Sequence, residues 1–100
     1  MSGAEQPLAF VHDPEHHRFV LQRDGYEAVL MYAQNGKVLD FYHTYVPESL
    51  RERGIAEKMV RAGFDYAQKN GFMVLPSCGY VREYFLPRNR QYLSLVAGNP

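Results

Sequence analysis

The chain has 100 residues, 46% of them apolar and 22% charged, and its eleven basic side chains are balanced by eleven acidic ones. That length supports one domain around one core, and a formal charge of zero argues against a nucleic-acid binder that works through a strongly basic surface. The single cysteine, Cys78, excludes an intrachain disulfide and any multi-cysteine metal site.

No apolar run approaches the ~20 residues that cross a bilayer, and "MSGAEQP" has neither the charged nor the apolar part of a signal peptide. No membrane is therefore expected, and the cytoplasm is the expected compartment. Residues 1–7 read as a flexible N-terminus and 8–97 as a single domain, opening with "LAFVHD". The following "HDPEHH" reads as a polar hairpin loop; His12, Asp13, Glu15, His16 and His17 fit no zinc spacing, so no metal is expected.

Three runs rich in β-branched and aromatic residues come next: "RFVLQ" (Arg18 to Gln22), "YEAVLMYA" (Tyr26 to Ala33) and "VLDFYHTYV" (Val38 to Val46). Asp24-Gly25 and Gln34-Asn35-Gly36-Lys37 separate them, and Asp-Gly and Asn-Gly pairs accept the positive φ of tight hairpin turns. The first half is thus an antiparallel meander. The eight tyrosines read as core and edge packing, because no basic stripe accompanies them for stacking on nucleic acid.

From Gly54 to Asn70 the period changes. Ala56, Met59 or Val60, Gly63 or Phe64, and Ala67 recur every three to four residues, which predicts an amphipathic helix with Asn70-Gly71 as its stop. "FMVLP" (Phe72 to Pro76) reads as a short strand, "SCGYVREYF" as a short helix and "RQYLSLVA" as another. A strand, a crossover helix and a strand make a βαβ unit. The fold class is therefore α+β, a meander leading into one parallel pair in a mixed sheet with short C-terminal helices. Where such strands diverge at their carboxyl ends, a crevice opens toward the positive end of the following helix.

At that helix mouth stand Arg51, Arg53 and Gly54. One reading is a phosphate cradle, since amides of a first helical turn lack partners and glycine lets an anion approach them. The other is a plain turn with solvated arginines. The segment Arg51-x-x-Gly54-x-Ala56 resembles the acetyl-CoA pyrophosphate loop of GCN5-related N-acetyltransferases. "HTYVPESLRERGIAEKMV" (His43 to Val60), "PSCGYVREYF" (Pro76 to Phe85) and "RQYLSLV" (Arg90 to Val96) resemble the small, domain-minimal branch of that superfamily.

The resemblance implies an N-acetyltransferase that uses acetyl-CoA. The pantetheine arm would pair with backbone near Tyr45 and Val46, and the diphosphate would rest on the turn Arg51, Glu52, Arg53, Gly54, Ile55 and Ala56. Two positions depart from the family pattern: Glu52 stands where glycine is frequent, and Tyr45 where an acidic residue is frequent, so a carboxylate base at that position is missing. A weaker hold on CoA is expected.

Acetyl transfer needs a neutral amine, a polarised thioester carbonyl and a proton for the departing thiolate. His43 reads either as the base, its ordinary pKa being near ~6.5, or as a structural ring among Phe41, Tyr42 and Tyr45. Cys78 reads as nucleophile or proton donor at a helix start, where the dipole favours thiolate, or as a small buried filler. Tyr80 and Tyr84, four apart on one helix face, are either acids for the thiolate or packed aromatics. Only Asp24-Gly25 joins the runs Arg18 to Gln22 and Tyr26 to Ala33, where larger members of the superfamily insert helices. The acceptor side is therefore expected to be shallow, suiting a protein or peptide lysine, with a small amine also open. A monomer or a homodimer fits. The alternative function is a non-catalytic CoA-binding or protein-interaction module.

Overall fold

A computed structural model describes residues 10–98. The stretch 1–7, expected to be flexible, the expected domain start at residue 8 and the side chains of Glu52 and Arg53 lie outside the described residues.

Five strands make one sheet in chain order: β1 (Val11–Asp13), β2 (Arg18–Arg23), β3 (Tyr26–Asn35), β4 (Val38–Tyr45) and β5 (Met73–Leu75). The first four are antiparallel neighbours and β5 lies parallel to β4, so the meander and the βαβ unit are as expected. The β2–β3 hairpin turns on Asp24 and Gly25 at φ 54° and 78°, and the β3–β4 hairpin on Gly36 at φ 59°, angles at which side chains other than glycine, asparagine and aspartate are strained. Part of the expected polar loop is instead strand: His12 and Asp13 pair with Phe19 and Arg18, and a 3-10 turn (Pro14–His16) with left-handed His17 closes the hairpin. Aromatic packing explains this. The His12 ring stacks on Phe19 at 4.4 Å and its Nε2 meets the Tyr32 hydroxyl at 2.6 Å.

The crossover is α1 (Ile55–Lys69), which buries Ile55, Met59, Val60, Gly63, Phe64 and Ala67. The stripe begins at Ile55; Ala56 is only partly covered. Gly63 sits at the closest approach of helix to sheet, where a Cβ would stand 2.8 Å from Leu30 Cδ2 and 3.0 Å from Phe41 Cζ.

The C-terminal part differs from expectation in its winding. Tyr80–Phe85 is a π-helix running into α2 (Leu86–Arg88), and the closing run is a 3-10 helix, Arg90–Leu95. That helix stops before Val96, which is extended and forms a parallel bridge with Val74, while the Ala97 amide donates to the Val74 carbonyl at 2.7 Å. Phe85 and Tyr92 stack against Phe64 of α1 at 5.4 and 5.2 Å, so these turns share one core with α1.

Candidate functional site

The site begins where β4 ends. Val46 and Pro47, both buried, lead into a 3-10 helix (Glu48–Arg53), an element the sequence reading leaves as a turn. Gly54 then closes that helix and starts α1 in one residue, at φ 67° and ψ 24°. A Cβ there would meet nothing within 4 Å, so backbone conformation and not crowding makes the position suit glycine. The first α1 bond runs from the Lys58 amide to the Gly54 carbonyl at 3.1 Å. The amides of Ile55, Ala56 and Glu57 precede it, and no side chain caps them. They stand at the positive end of a 15-residue helix.

Arg51 fastens this turn to the strand, its Nε donating to the Val46 carbonyl at 2.8 Å. That carbonyl, expected to face the pantetheine arm, thus already accepts one bond. Tyr45 is exposed at the last β4 pair, opposite Val29.

The parallel β4–β5 register covers only Val38 with Met73 through Asp40 with Leu75. Beyond it β4 continues to Tyr45, paired with β3, while the chain after β5 leaves the parallel register. Cys78 follows that departure and is partly buried beside β4. Its amide donates to the Phe41 carbonyl at 2.8 Å and its Sγ is 3.6 Å from Thr44 Oγ1. His43 is exposed and pairs with Met31, whereas Thr44 pairs with fully buried Leu30. Successive strand residues face opposite sides, so His43 and Cys78 sit on opposite faces of β4.

Tyr80 and Tyr84 stack at 5.1 Å, and the Arg88 guanidinium lies 3.8 Å over the Tyr84 ring. Burial, helped by the charges of Glu57 and Tyr84, pushes the Tyr80 phenol up to about 12, and Cys78 adds to the shift. Cys78, Tyr80 and the first turn of α1 therefore share one electrostatic neighbourhood. At neutral pH Tyr80 is a standing hydrogen-bond donor that gives up its proton reluctantly.

Two features escape the sequence reading. Thr44 is one. The other is a polar knot under the cradle: Asn89, only 4% exposed, donates through Nδ2 to Glu57 Oε2 at 3.2 Å and to the Phe85 carbonyl at 2.9 Å. Arg61 donates to Asn89 Oδ1 at 2.9 Å and to Glu57 Oε2 at 3.2 Å. The knot turns the only carboxylate of the first α1 turn toward the C-terminal segment. The sequence does not mark it, because Asn89 stands between Arg88 and Arg90 in a polar stretch. Among the described residues no three His, Cys, Asp or Glu side chains converge on a metal position, and no helix is long and apolar enough to cross a membrane.

Comparison with known proteins gives a consistent family. A family model described as GCN5-related N-acetyl-transferase matches residues 18–95. Protein NATD1 of Mus musculus is 33% identical over 88 residues, covering 83% of this chain and 80% of that protein. Protein NATD1 of Danio rerio is 32% identical over 93 residues, covering 89% and 84%. Among solved structures, the NMR solution structure of a GCN5-like protein from Staphylococcus aureus superposes with a TM-score of 0.71 at 20% identity, covering 93% of this chain and 91% of that one. At that identity the likeness concerns the fold.

Proposed function

The chain belongs to the GCN5-related N-acetyltransferase family, and on that premise we propose that it binds acetyl-CoA at the mouth of α1 and passes the acetyl group to an amine. The observation that carries the reading is left-handed Gly54, which bares the Ile55, Ala56 and Glu57 amides at the carboxyl end of the parallel strand pair. Three amides at a positive helix end suit a diphosphate, and in sequence the turn that leads to them carries Arg51 and Arg53 against Glu52. The pantetheine arm runs along Tyr45 and Val46 between β4 and β5, which brings the thioester toward Cys78.

In the reaction the amine nitrogen attacks the thioester carbon, the C–N bond forms and the C–S bond breaks. The amine proton leaves to a base and the CoA thiolate regains one. His43 is the proposed base, reaching the acceptor from the opposite face of β4. Tyr80 donates a hydrogen bond to the departing sulfur, with Tyr84 and Arg88 stacked behind it. Cys78 is the proposed proton source or transient acetyl carrier. The acceptor is an exposed protein or peptide lysine, or a small amine, taken on a shallow surface by a monomer or homodimer. A cytoplasmic setting, where free thiols persist, completes the reading.

One observation favours a second reading, a CoA-binding module without turnover. Burial pushes the Tyr80 phenol up to about 12, so it parts with its proton less readily than an ordinary tyrosine when the CoA thiolate needs one. Two measurements separate the readings. Acetyl-CoA titrated to millimolar levels should move the amide resonances of Gly54 to Glu57, and adding peptide or polyamine acceptors should release free CoA thiol. Moved amides without thiol release leave the module; unmoved amides end both readings.

A further inference from the structure

Strand β4 is irregular near its middle. The β3–β4 register slips between Met31 and Tyr32: Leu30 pairs with Thr44 and Met31 with His43, but Tyr32 pairs with Phe41. Tyr42 is the additional residue, and it is exposed. In a regular strand, residues three apart face opposite sides. The extra residue cancels that alternation, so Phe41 and Thr44 point to the same side, opposite the buried Tyr32 and Leu30. Cys78 lies on that side and touches both, through its amide to the Phe41 carbonyl at 2.8 Å and its sulfur to Thr44 Oγ1 at 3.6 Å.

We infer that Thr44 is a positioning residue for the Cys78 sulfur: its hydroxyl donates a hydrogen bond to the thiolate and holds it beside β4, an arrangement that the Tyr42 bulge creates. The purpose of this bond rests on the acetyl-transfer reading, while its geometry does not. Either group can donate while the sulfur is a thiol, but only Thr44 Oγ1 can donate to a thiolate, so the bond is stronger with the charged sulfur; a carbonyl or carboxylate at the same place would oppose it. The helix start and the Arg82 guanidinium, held on the Pro76 and Ser77 carbonyls, also favour the charged sulfur, but they are the same in parent and variants, so the comparison isolates the hydroxyl. The Phe41 carbonyl is occupied by the Cys78 amide, His43 faces away across β4, and Tyr80, with its pKa near 12, remains a neutral phenol through the working range.

Because Cys78 is the sole cysteine, alkylation of the intact protein by iodoacetamide reads this thiol alone and needs no acetyl-CoA. Thr44→Val keeps the shape and removes the hydroxyl. Its alkylation at pH 7.5 should slow by roughly three- to tenfold, the range a single net hydrogen bond produces, and the midpoint of its rate–pH profile should move upward. The two rates should converge where the thiolate is fully formed. Thr44→Ser should restore the parent profile. A Thr44→Val protein that melts like the parent and keeps its rate and midpoint overturns the proposal. If Thr44→Val does not fold, Thr44→Ser and Thr44→Ala supply the same comparison. A shifted profile in a chain whose amides ignore acetyl-CoA would keep the Thr44–Cys78 pair and end the acetyl-transfer reading.

Discussion

Replacing Gly63 by alanine tests the contact that sets the height of α1 above the sheet. The added Cβ would stand 2.8 Å from Leu30 Cδ2 and 3.0 and 3.1 Å from Phe41 Cζ and Cε2, against a comfortable carbon–carbon separation of about 3.5–4.0 Å. Neither neighbour has room to retreat. Leu30 and Phe41 are fully buried, and the Phe41 ring is held edge-on by Phe64 at 5.4 Å. Overpacking of this kind costs about 1–3 kcal/mol, and alanine's better helix propensity returns at most ~1 kcal/mol. A contact as short as 2.8 Å puts the cost in the upper part of that range, about 2–3 kcal/mol, so the expected net loss is about 1–2 kcal/mol, a fall of roughly 5–15 °C in Tm for a chain of this size, followed by circular dichroism. Gly79→Ala is the control. Its φ of −59° is right-handed and its nearest neighbour, an Arg82 nitrogen, is 3.9 Å away, so it should melt at or slightly above the parent. A Gly63→Ala protein as stable as the parent would refute this account of the helix–sheet contact.

Gly54→Ala should lose about 1–2 kcal/mol, because φ 67° strains a Cβ, and weaken acetyl-CoA binding in calorimetry; Gly54→Asn, which tolerates that region, should recover most of the stability. Asn89→Ala should cost about 2–3 kcal/mol in urea unfolding, since it strips partners from Glu57, Arg61 and the Phe85 carbonyl in a buried setting. For pH, burial holds His12 below its ordinary 6.5, with His17 adding to this and Asp13 opposing it. The unfolded chain then binds more protons between the lowered value and 6.5, so stability is complete above that window and falls as pH drops through it. His12→Gln should flatten that slope below pH 6.5 in melting curves. The Asp13 carboxyl, lowered mainly by the His16 hydrogen bond, acts in the separate range below its ordinary 3.8.

The hairpin turns, the helix and the parallel crossover were legible because each rests on short-range rules: an Asp-Gly pair, a 3.6-residue stripe, a glycine after asparagine. Gly54 was legible for the same reason. Thr44 was not, because its direction depends on one inserted residue, and the adjacent Phe41 and Tyr42 of "LDFYHTYV" do not by themselves show that either is extra. The polar knot was hidden by distance, as Glu57 and Asn89 lie 32 positions apart. The π-helix escaped because one turn is too short to distinguish its period from that of an α-helix. The strand at His12 and Asp13 escaped because a charged, histidine-rich run reads as loop until Phe19 and Tyr32 supply rings to stack on.

β5 is three residues long and its middle residue, Val74, is held from both flanks, by Leu39 of β4 on one side and by Val96 on the other. A ladder that short has little grip of its own. The backbone bond from Ala97 to Val74 therefore acts as a latch on β5. A substitution in that C-terminal segment thus acts on the strand that leads into Cys78 while every residue around the sulfur stays the same.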